Sequence, residues 1–292
     1  MRNLPEPSRD RDRDDLKKAV RQYTYGGEIR GHAITTTEID AVVALYDRYE
    51  TNRGRPCDDL KGNGFPASLS ATIHAAYDKT QEGRTLHPLR QALFEGVDLC
   101  PICGIGPPTE LDHYLPRSAF KPLAIHARNL VPICHPCNHA KLAGFDDGEA
   151  AFLHPYYDIL PDLDFLRASV DLSEGALVAS FSIDAAVALP PGYGERLTGQ
   201  MIALNLDERY QQEVNTYVWS HAAALHIAHG GAGQAGVRNL LRMQAAFEIE
   251  AFHRNHWRPT LLQALERNDD FTAGAFVEIL PMPIGFVADV EA

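Results

Sequence analysis

The chain has 292 residues, 45% of them hydrophobic, enough to bury a sizeable core in one or two domains. With 39 acidic against 27 basic residues the formal charge is -12, which argues against a general coating protein for DNA or membranes and leaves room only for a local basic site. No apolar run approaches the roughly 18 residues of a membrane span, and MRNLPEPSRDRDRDDLKK at the start has no apolar signal segment, so a cytoplasmic protein without membrane contact is expected, its cysteines thiols or metal ligands.

In chain order, residues 1–96 read as a helical region. The RDRDRDD run, Arg9 to Asp15, has the charge pattern of a solvated arm or a helix start. Ile39, Val42, Val43 and Tyr46 recur at helical spacing behind a Thr-rich cap and predict a helix over 37–49. Residues 51–66 hold Gly, Asn and Pro and read as a loop, followed by helices over 67–80 and 87–95. Over 97–146 short apolar pieces alternate with Cys, His, Pro and Asn. Residues 159–292 are expected to form a mostly helical domain with one hairpin. The hairpin falls at 165–183, around a Ser-Glu-Gly turn. Three or four helices are expected over 195–267, one of them ending at Gly230 and Gly231 and another showing the stripe Val237, Leu240, Leu241, Ala245 and Ile249. The apolar tail from Phe271 is expected to pack back on this body. His221, His226, His229, His253 and His256 have no carboxylate in their pattern and read as surface or satisfied histidines. The fold class expected is α+β.

The most informative residues are cysteines. Cys100 and Cys103 form one C-x2-C pair, Cys134 and Cys137 a second, thirty residues on. Four thiolates in two such pairs suit tetrahedral Zn2+, and Gly104 fits the tight turn of a knuckle. The competing reading is a pair of redox motifs or buried thiols. Cys57 is left over and reads as an inert thiol.

Between and after the pairs lie Asp112-His113 in LDHYLP, then Asn129-Leu130, then Cys137-Asn138-His139-Ala140-Lys141. His113 can act as a neutral general base near neutral pH. Asp112 offers an anionic oxygen and Asn138 a carbonyl oxygen, both suited to Mg2+ or Mn2+. Adjacent strand residues point to opposite faces, so Asp112 and His113 can share a site only where the strand twists or ends, and Pro116 marks an end nearby. Arg117, Lys121, Arg128 and Lys141 outnumber the acids Glu110 and Asp112 over 99–144, so this stretch is locally basic inside an acidic chain. Lys141, one turn after Asn138, would share its helix face and could touch phosphate.

Four cysteines together with D-H, N and C-N-x-x-K resemble the HNH endonucleases, the zinc-bracketed branch of the ββα-metal nucleases, over about fifty residues, 97–146. The resemblance implies a ββα core (97–158) with structural zinc knuckles, His113 as base, Asp112 and Asn138 as ligands of a catalytic Mg2+ or Mn2+, and Asn129 orienting the base or fixing the loop. It also implies DNA as substrate, with Arg117, Lys121, Arg128 and Lys141 as candidate nucleic-acid contacts. Plainer readings stand beside these. Asp112-His113 can be an exposed polar pair, Asn129 a turn residue, His139 the ligand in place of Asn138, and the loop bases solubilising charge. FLHPYYD, Phe152 to Asp158, reads as a packing strap more than a DNA contact. The flanking regions resemble those of HNH effectors of anti-phage defence, which work beside an ATPase; no pattern sets an oligomeric state. The alternative function is a non-catalytic zinc-knuckle module that binds nucleic acid or protein. A zinc deaminase is set aside, because no H-x-E occurs.

Overall fold

Thr35 opens the first long helix with a capping box: its hydroxyl accepts from the Glu38 amide, and the Glu38 carboxylate accepts from the Thr35 amide. The computed structural model describes residues 1–141, 152–173 and 176–283. These form α+β structure with three two-stranded antiparallel sheets. The chain divides into two compact units, Asn3–Leu160 on the one hand and Met1–Arg2 with Pro161–Ala292 on the other. Residues 3–96, expected as a region of their own, thus lie in one unit with the cysteine-rich stretch.

In the first unit α1 (Asp12–Ala19) is followed by the hairpin β1 (Gln22–Tyr25) and β2 (Glu28–Gly31). The sequence reading missed this hairpin. Its signal was Gly26-Gly27, both at positive φ, between two four-residue strands. The Arg/Asp run is less solvated than expected: Asp12 and Asp15 are buried on α1, and Arg9 pairs with Asp12, Asp47 and Glu50, each at 2.7 Å. Helix α2 (Thr36–Thr51) buries Ile39, Val42, Leu45, Tyr46 and Tyr49, one stripe of the 3.6-residue period. Helix α3 (Ala67–Ala76) runs into a 3-10 turn, Tyr77–Thr80, and α4 (His87–Phe94) follows. Strands β3 (Glu110–His113) and β4 (Leu130–Ile133) pair with Glu110 opposite Ile133 and His113 opposite Leu130. Helix α5 (His135–Lys141) starts two residues after β4. Leu89 and Leu93 of α4 cluster with Leu111, Ala127 and Leu130, seating the hairpin on the helical region.

The expected strap is a strap. Tyr114 Oη donates to the Phe152 carbonyl at 2.9 Å, and Tyr156 Oη to the Leu130 carbonyl at 2.8 Å. His154 is fully buried, its ring centroid 3.9 Å from that of Tyr114 and its Nε2 2.9 Å from Tyr49 Oη. Gly54 sits at φ +72°, where a Cβ would lie 2.4 Å from His154 Cδ2, so only glycine fits under this ring.

In the second unit β5 (Leu166–Ser173) and β6 (Ala176–Ile183) form the expected hairpin; residues 174 and 175 of its turn lie outside the described residues. Leu177, Ala179 and Phe181 of β6 alternate inward. Helices α6 (Tyr193–Ala203), α7 (Leu206–Ser220), α8 (Ala222–Ala251) and α9 (Trp257–Arg267) follow, then α10 (Phe276–Ile279). The helix expected to end at Gly230 and Gly231 does not. Those residues stay helical, and the geometry breaks instead at Ala232 and Gly233, the latter at φ +56°, and earlier at His221 between α7 and α8. His226 Nε2 lies 2.7 Å from the Leu280 carbonyl and His229 Nε2 3.2 Å from that of Ala273, so these histidines fasten the tail, whose Phe271, Phe276 and Leu280 are buried. No helix among the described residues is long and apolar enough to cross a membrane.

One buried group of the first unit carries a measurable pH dependence. His126 stacks on Tyr46 at 4.2 Å and meets Tyr49 edge-on at 5.1 Å, with no hydrogen-bond partner for either ring nitrogen. Burial, then the charges of Arg9 and Arg128, hold its pKa well below 6.5. Below pH 6.5 the unfolded chain therefore takes up a proton here that the folded chain refuses, and stability falls as pH falls. Urea unfolding of the wild type and His126→Phe at pH 7.5 and 5.5 is expected to show a smaller acid loss in the variant, the difference approaching about 1.4 kcal/mol per pH unit below 6.5.

Candidate functional site

The two C-x2-C pairs meet at the open end of the hairpin, one ahead of β3 and one after β4, where Glu110 pairs with Ile133. Cys100 and Cys103 lie in a turn closed by Cys100 N to the Gly106 carbonyl and Gly104 N to the Cys100 carbonyl, both 2.8 Å, with Gly104 at φ +68°. Cys134 precedes α5 and Cys137 is within its first turn. All four sulfurs are buried and lie within 4.8 Å of one another. Ligands about 2.3 Å from a tetrahedral centre stand about 3.8 Å apart, and Cys103 Sγ is 3.7 Å from Cys134 Sγ. Four soft donors at this spacing fit a zinc ion, and the cluster can hold one. Cys57 lies apart from them, half-buried, its sulfur accepting from Asn52 Nδ2 at 3.1 Å.

A cleft of about 440 Å³ opens beside this cluster, lined among others by Asp112, His113, Asn138, Lys141, Arg117 and Tyr77. Asp112 and His113 reach it together because β3 ends at His113: Asp112 meets α5, and His113 meets the loop that leaves the strand. His113 Nε2 lies 3.0 Å from the Ala124 carbonyl. A carbonyl only accepts, so Nε2 carries the proton and Nδ1 the lone pair. Burial lowers the His113 pKa to about 3, opposed by the Ala124 bond and assisted by Arg117, Lys141 and His74, so the ring is neutral. One face of the ring is covered by Tyr77, at 4.5 Å between centroids, whose hydroxyl donates to the Leu111 carbonyl at 2.5 Å.

The loop that supplies Ala124 is held by Asn129. Its Oδ1 accepts from Leu115 N at 2.8 Å and from Tyr49 Oη at 3.1 Å, and its Nδ2 donates to the Leu115 carbonyl at 3.1 Å and the Leu123 carbonyl at 3.3 Å. Of the two roles expected for Asn129, the geometry is that of fixing the loop; it makes no bond to His113. Asn138 lines the cleft and donates through Nδ2 to Glu110 Oε2. His139 is exposed and outside the cleft lining, stacked at 6.1 Å on His135, which places Asn138 and not His139 beside Asp112.

The basic residues divide. Arg117 lines the cleft, its guanidinium 4.7 Å over the Tyr77 ring. Lys121 is exposed at the start of a 3-10 turn. Lys141 does not stand ready for phosphate: its ammonium pairs with Asp112 Oδ2 and donates to the carbonyls of His113 at 2.9 Å and Tyr114 at 3.4 Å. Arg128 is outside the cleft, bound to Glu6 at 2.6 Å, Glu50 at 3.1 Å and the Pro7 carbonyl at 3.0 Å, where it braces the N-terminal arm. A guanidinium engaged on three sides has little left for a ligand.

Sequence reasoning missed three contributors. Glu110 accepts from both Asn138 and His135, bonds that hold its carboxyl below the usual range with Asn138 as the larger cause. Its signal was strand alternation, which puts residue 110 on the same side as 112. Tyr77 and His74 come from the region ahead of the motif, and no local spacing announces them.

No protein-family model matches the chain, and no solved structure matches it. Among curated proteins it is 24% identical over 216 residues to protein ea31 of Escherichia phage lambda, covering 68% of this chain and 70% of that protein.

Asn129→Ala removes two donors' acceptor and two acceptors' donor in a buried site. It is expected to cost about 2 to 4 kcal/mol in urea unfolding, and Asn129→Asp, which faces a carboxylate to the Leu115 and Leu123 carbonyls, is not expected to restore it.

Proposed function

We propose that the chain is a metal-dependent HNH endonuclease that hydrolyses DNA phosphodiester bonds, with structural zinc on Cys100, Cys103, Cys134 and Cys137. The observation that carries this reading is the single cleft in which Asp112, His113 and Asn138 converge, with the His113 tautomer set by a backbone carbonyl. A strand pair followed by α5, bracketed by four buried sulfurs, is what the resemblance to this family leads one to expect. The ea31 likeness adds nothing about activity.

Phosphodiester hydrolysis needs a base for the attacking water and positive charge near the scissile phosphate. His113 supplies the base: Nε2–H is held by Ala124, so Nδ1 accepts the proton of a water in the cleft. Tyr77 packs against the ring at 4.5 Å between centroids. Asp112 and Asn138 would hold Mg2+ or Mn2+, whose contribution is charge stabilisation of the phosphate in the transition state. The donors fit: Lys141 takes Asp112 Oδ2 and leaves Oδ1, and Glu110 takes the Asn138 NH2 group and leaves Oδ1. Arg117 at the cleft wall and exposed Lys121 are the basic groups placed to meet the DNA backbone. The flanks keep the further proposal of a defence effector working beside an ATPase, which rests on resemblance alone.

The second reading, a zinc-knuckle binding module without chemistry, is favoured by the Lys141 ammonium, which already neutralises Asp112. Cleavage separates the two. Wild-type protein is expected to nick supercoiled plasmid with Mg2+ or Mn2+ and not with EDTA. His113→Ala and Asp112→Asn are expected to lower the single-turnover rate about 10²- to 10⁴-fold, with zinc content unchanged. A His113→Ala protein cutting at the wild-type rate overturns the mechanism.

Elemental analysis is expected to find one zinc per chain in the wild type and less in Cys103→Ser and Cys137→Ser. Both variants are expected to melt lower, since structural zinc contributes directly to folding. Wild-type protein purified without zinc that melts like the zinc-loaded protein would refute the zinc assignment.

A further inference from the structure

Strand β3 presents two carboxylates, not one, to α5. Glu110 and Asp112 are two residues apart and share a strand face. Their partners His135, Asn138 and Lys141 recur every three residues and share a helix face. Asp112 takes Lys141. Glu110 takes Asn138 Nδ2 on one oxygen and His135 Nδ1, at 2.6 Å, on the other.

The consequence lies in the chemistry of an amide. Asn138 has an oxygen end that can ligate a cation and an NH2 end that repels one. Both ends have nearly the same shape, so packing alone does not choose between them. A carboxylate only accepts, so the end of Asn138 that meets Glu110 is the NH2 group and Oδ1 is turned away from it, with the residue lining the same cleft as Asp112. Rotation by 180° would set oxygen against the Glu110 carboxylate and NH2 toward any cation beside Asp112, two repulsions at once. We propose that Glu110 is a positioning residue, which fixes the amide of Asn138 so that its oxygen is presented to a divalent cation beside Asp112. This rests on the metal-dependent reading above, and it assigns Glu110 no contact with the cation or the substrate.

The test measures Mn2+ affinity of the zinc-loaded full chain by calorimetry or electron paramagnetic resonance, alongside cleavage. Glu110→Ala is expected to weaken Mn2+ binding about 10- to 100-fold, the usual cost of losing a partner that orients a ligand. Glu110→Gln, which can still accept from Asn138, is expected to recover part of it. The decisive comparison uses Asn138→Asp. A carboxylate has two oxygen ends and needs no orienting, and Glu110 beside it only repels. In that background Glu110→Ala is expected to leave Mn2+ affinity unchanged or to tighten it. A general structural role would instead weaken binding in both backgrounds and lower the melting temperature. Glu110→Ala binding Mn2+ within twofold of wild type, while Asp112→Asn abolishes binding, overturns the assignment of Glu110 alone, as does an equal penalty in both backgrounds. An Asp112→Asn protein that binds Mn2+ like the wild type overturns the metal site itself, and the role of Glu110 with it.

Discussion

Four sulfurs within 4.8 Å of one another set the geometry on which the site depends. One pair lies ahead of β3 and the other at the start of α5, so their meeting point closes a loop of chain that contains the whole hairpin. Without that closure, two four-residue strands are too short to hold their own register or fold alone. Thiols so close cannot all ionise without a cation among them, so the arrangement is also a requirement for charge. It is the reason two residues on a strand end and two on a helix face one cleft.

A second constraint is polar and buried. Tyr49 Oη stands between Asn129 Oδ1 and His154 Nε2, and so joins α2, the loop after β3 and the strap in one network. Asn129 in turn bonds the Leu123 carbonyl, next to the carbonyl that holds His113. The tautomer of a cleft histidine is thereby coupled to packing more than sixty positions earlier in the chain, at Tyr49. Such networks are specific only when every member is satisfied. That is why an asparagine with four correctly placed partners stands here, and not a generic turn residue.

The cysteine cluster could be read from the sequence because each C-x2-C pair is a local turn, whereas the convergence of residues 112, 113 and 138 on one cleft was expected only from the resemblance to the HNH endonucleases. Helix α2 could be read from local spacing too, through Thr35, Glu38 and the Ile39–Tyr46 stripe. Readings that needed tertiary knowledge went astray. Arg128 and Lys141 were counted as free positive charge, yet each finds an acidic partner that no local pattern brings near it. Asp12 and Asp15 belong to a charge run that reads as a solvated arm or a helix start; α1 does start at Asp12, but Arg9 neutralises Asp12 while helix packing buries both acids. The helix stop read at Gly230-Gly231 falls one residue further on, at Ala232 and Gly233, because glycine permits a break without requiring one. Tyr77 and His74 had no signal at all: they reach the cleft only because α4 seats the hairpin on the helical region.

Electrostatics distinguish the cleft from the acidic chain around it. With Arg128 engaged elsewhere, the local count falls to Arg117, Lys121 and Lys141, of which Lys141 is matched by Asp112 and Arg117 by Asp78 at 3.5 Å. Two histidines register the field that remains. After burial, the pKa of His74 is lowered by Arg117 and Lys121, and that of His113 by Arg117, Lys141 and His74 itself. Desolvation is the first cause of both shifts and the neighbouring cations add to it, so both rings are held toward the neutral form inside a chain that carries -12 overall. Net charge describes the approach of a distant partner, screened beyond about 10 Å in salt; the groups within that distance govern what the cleft accepts.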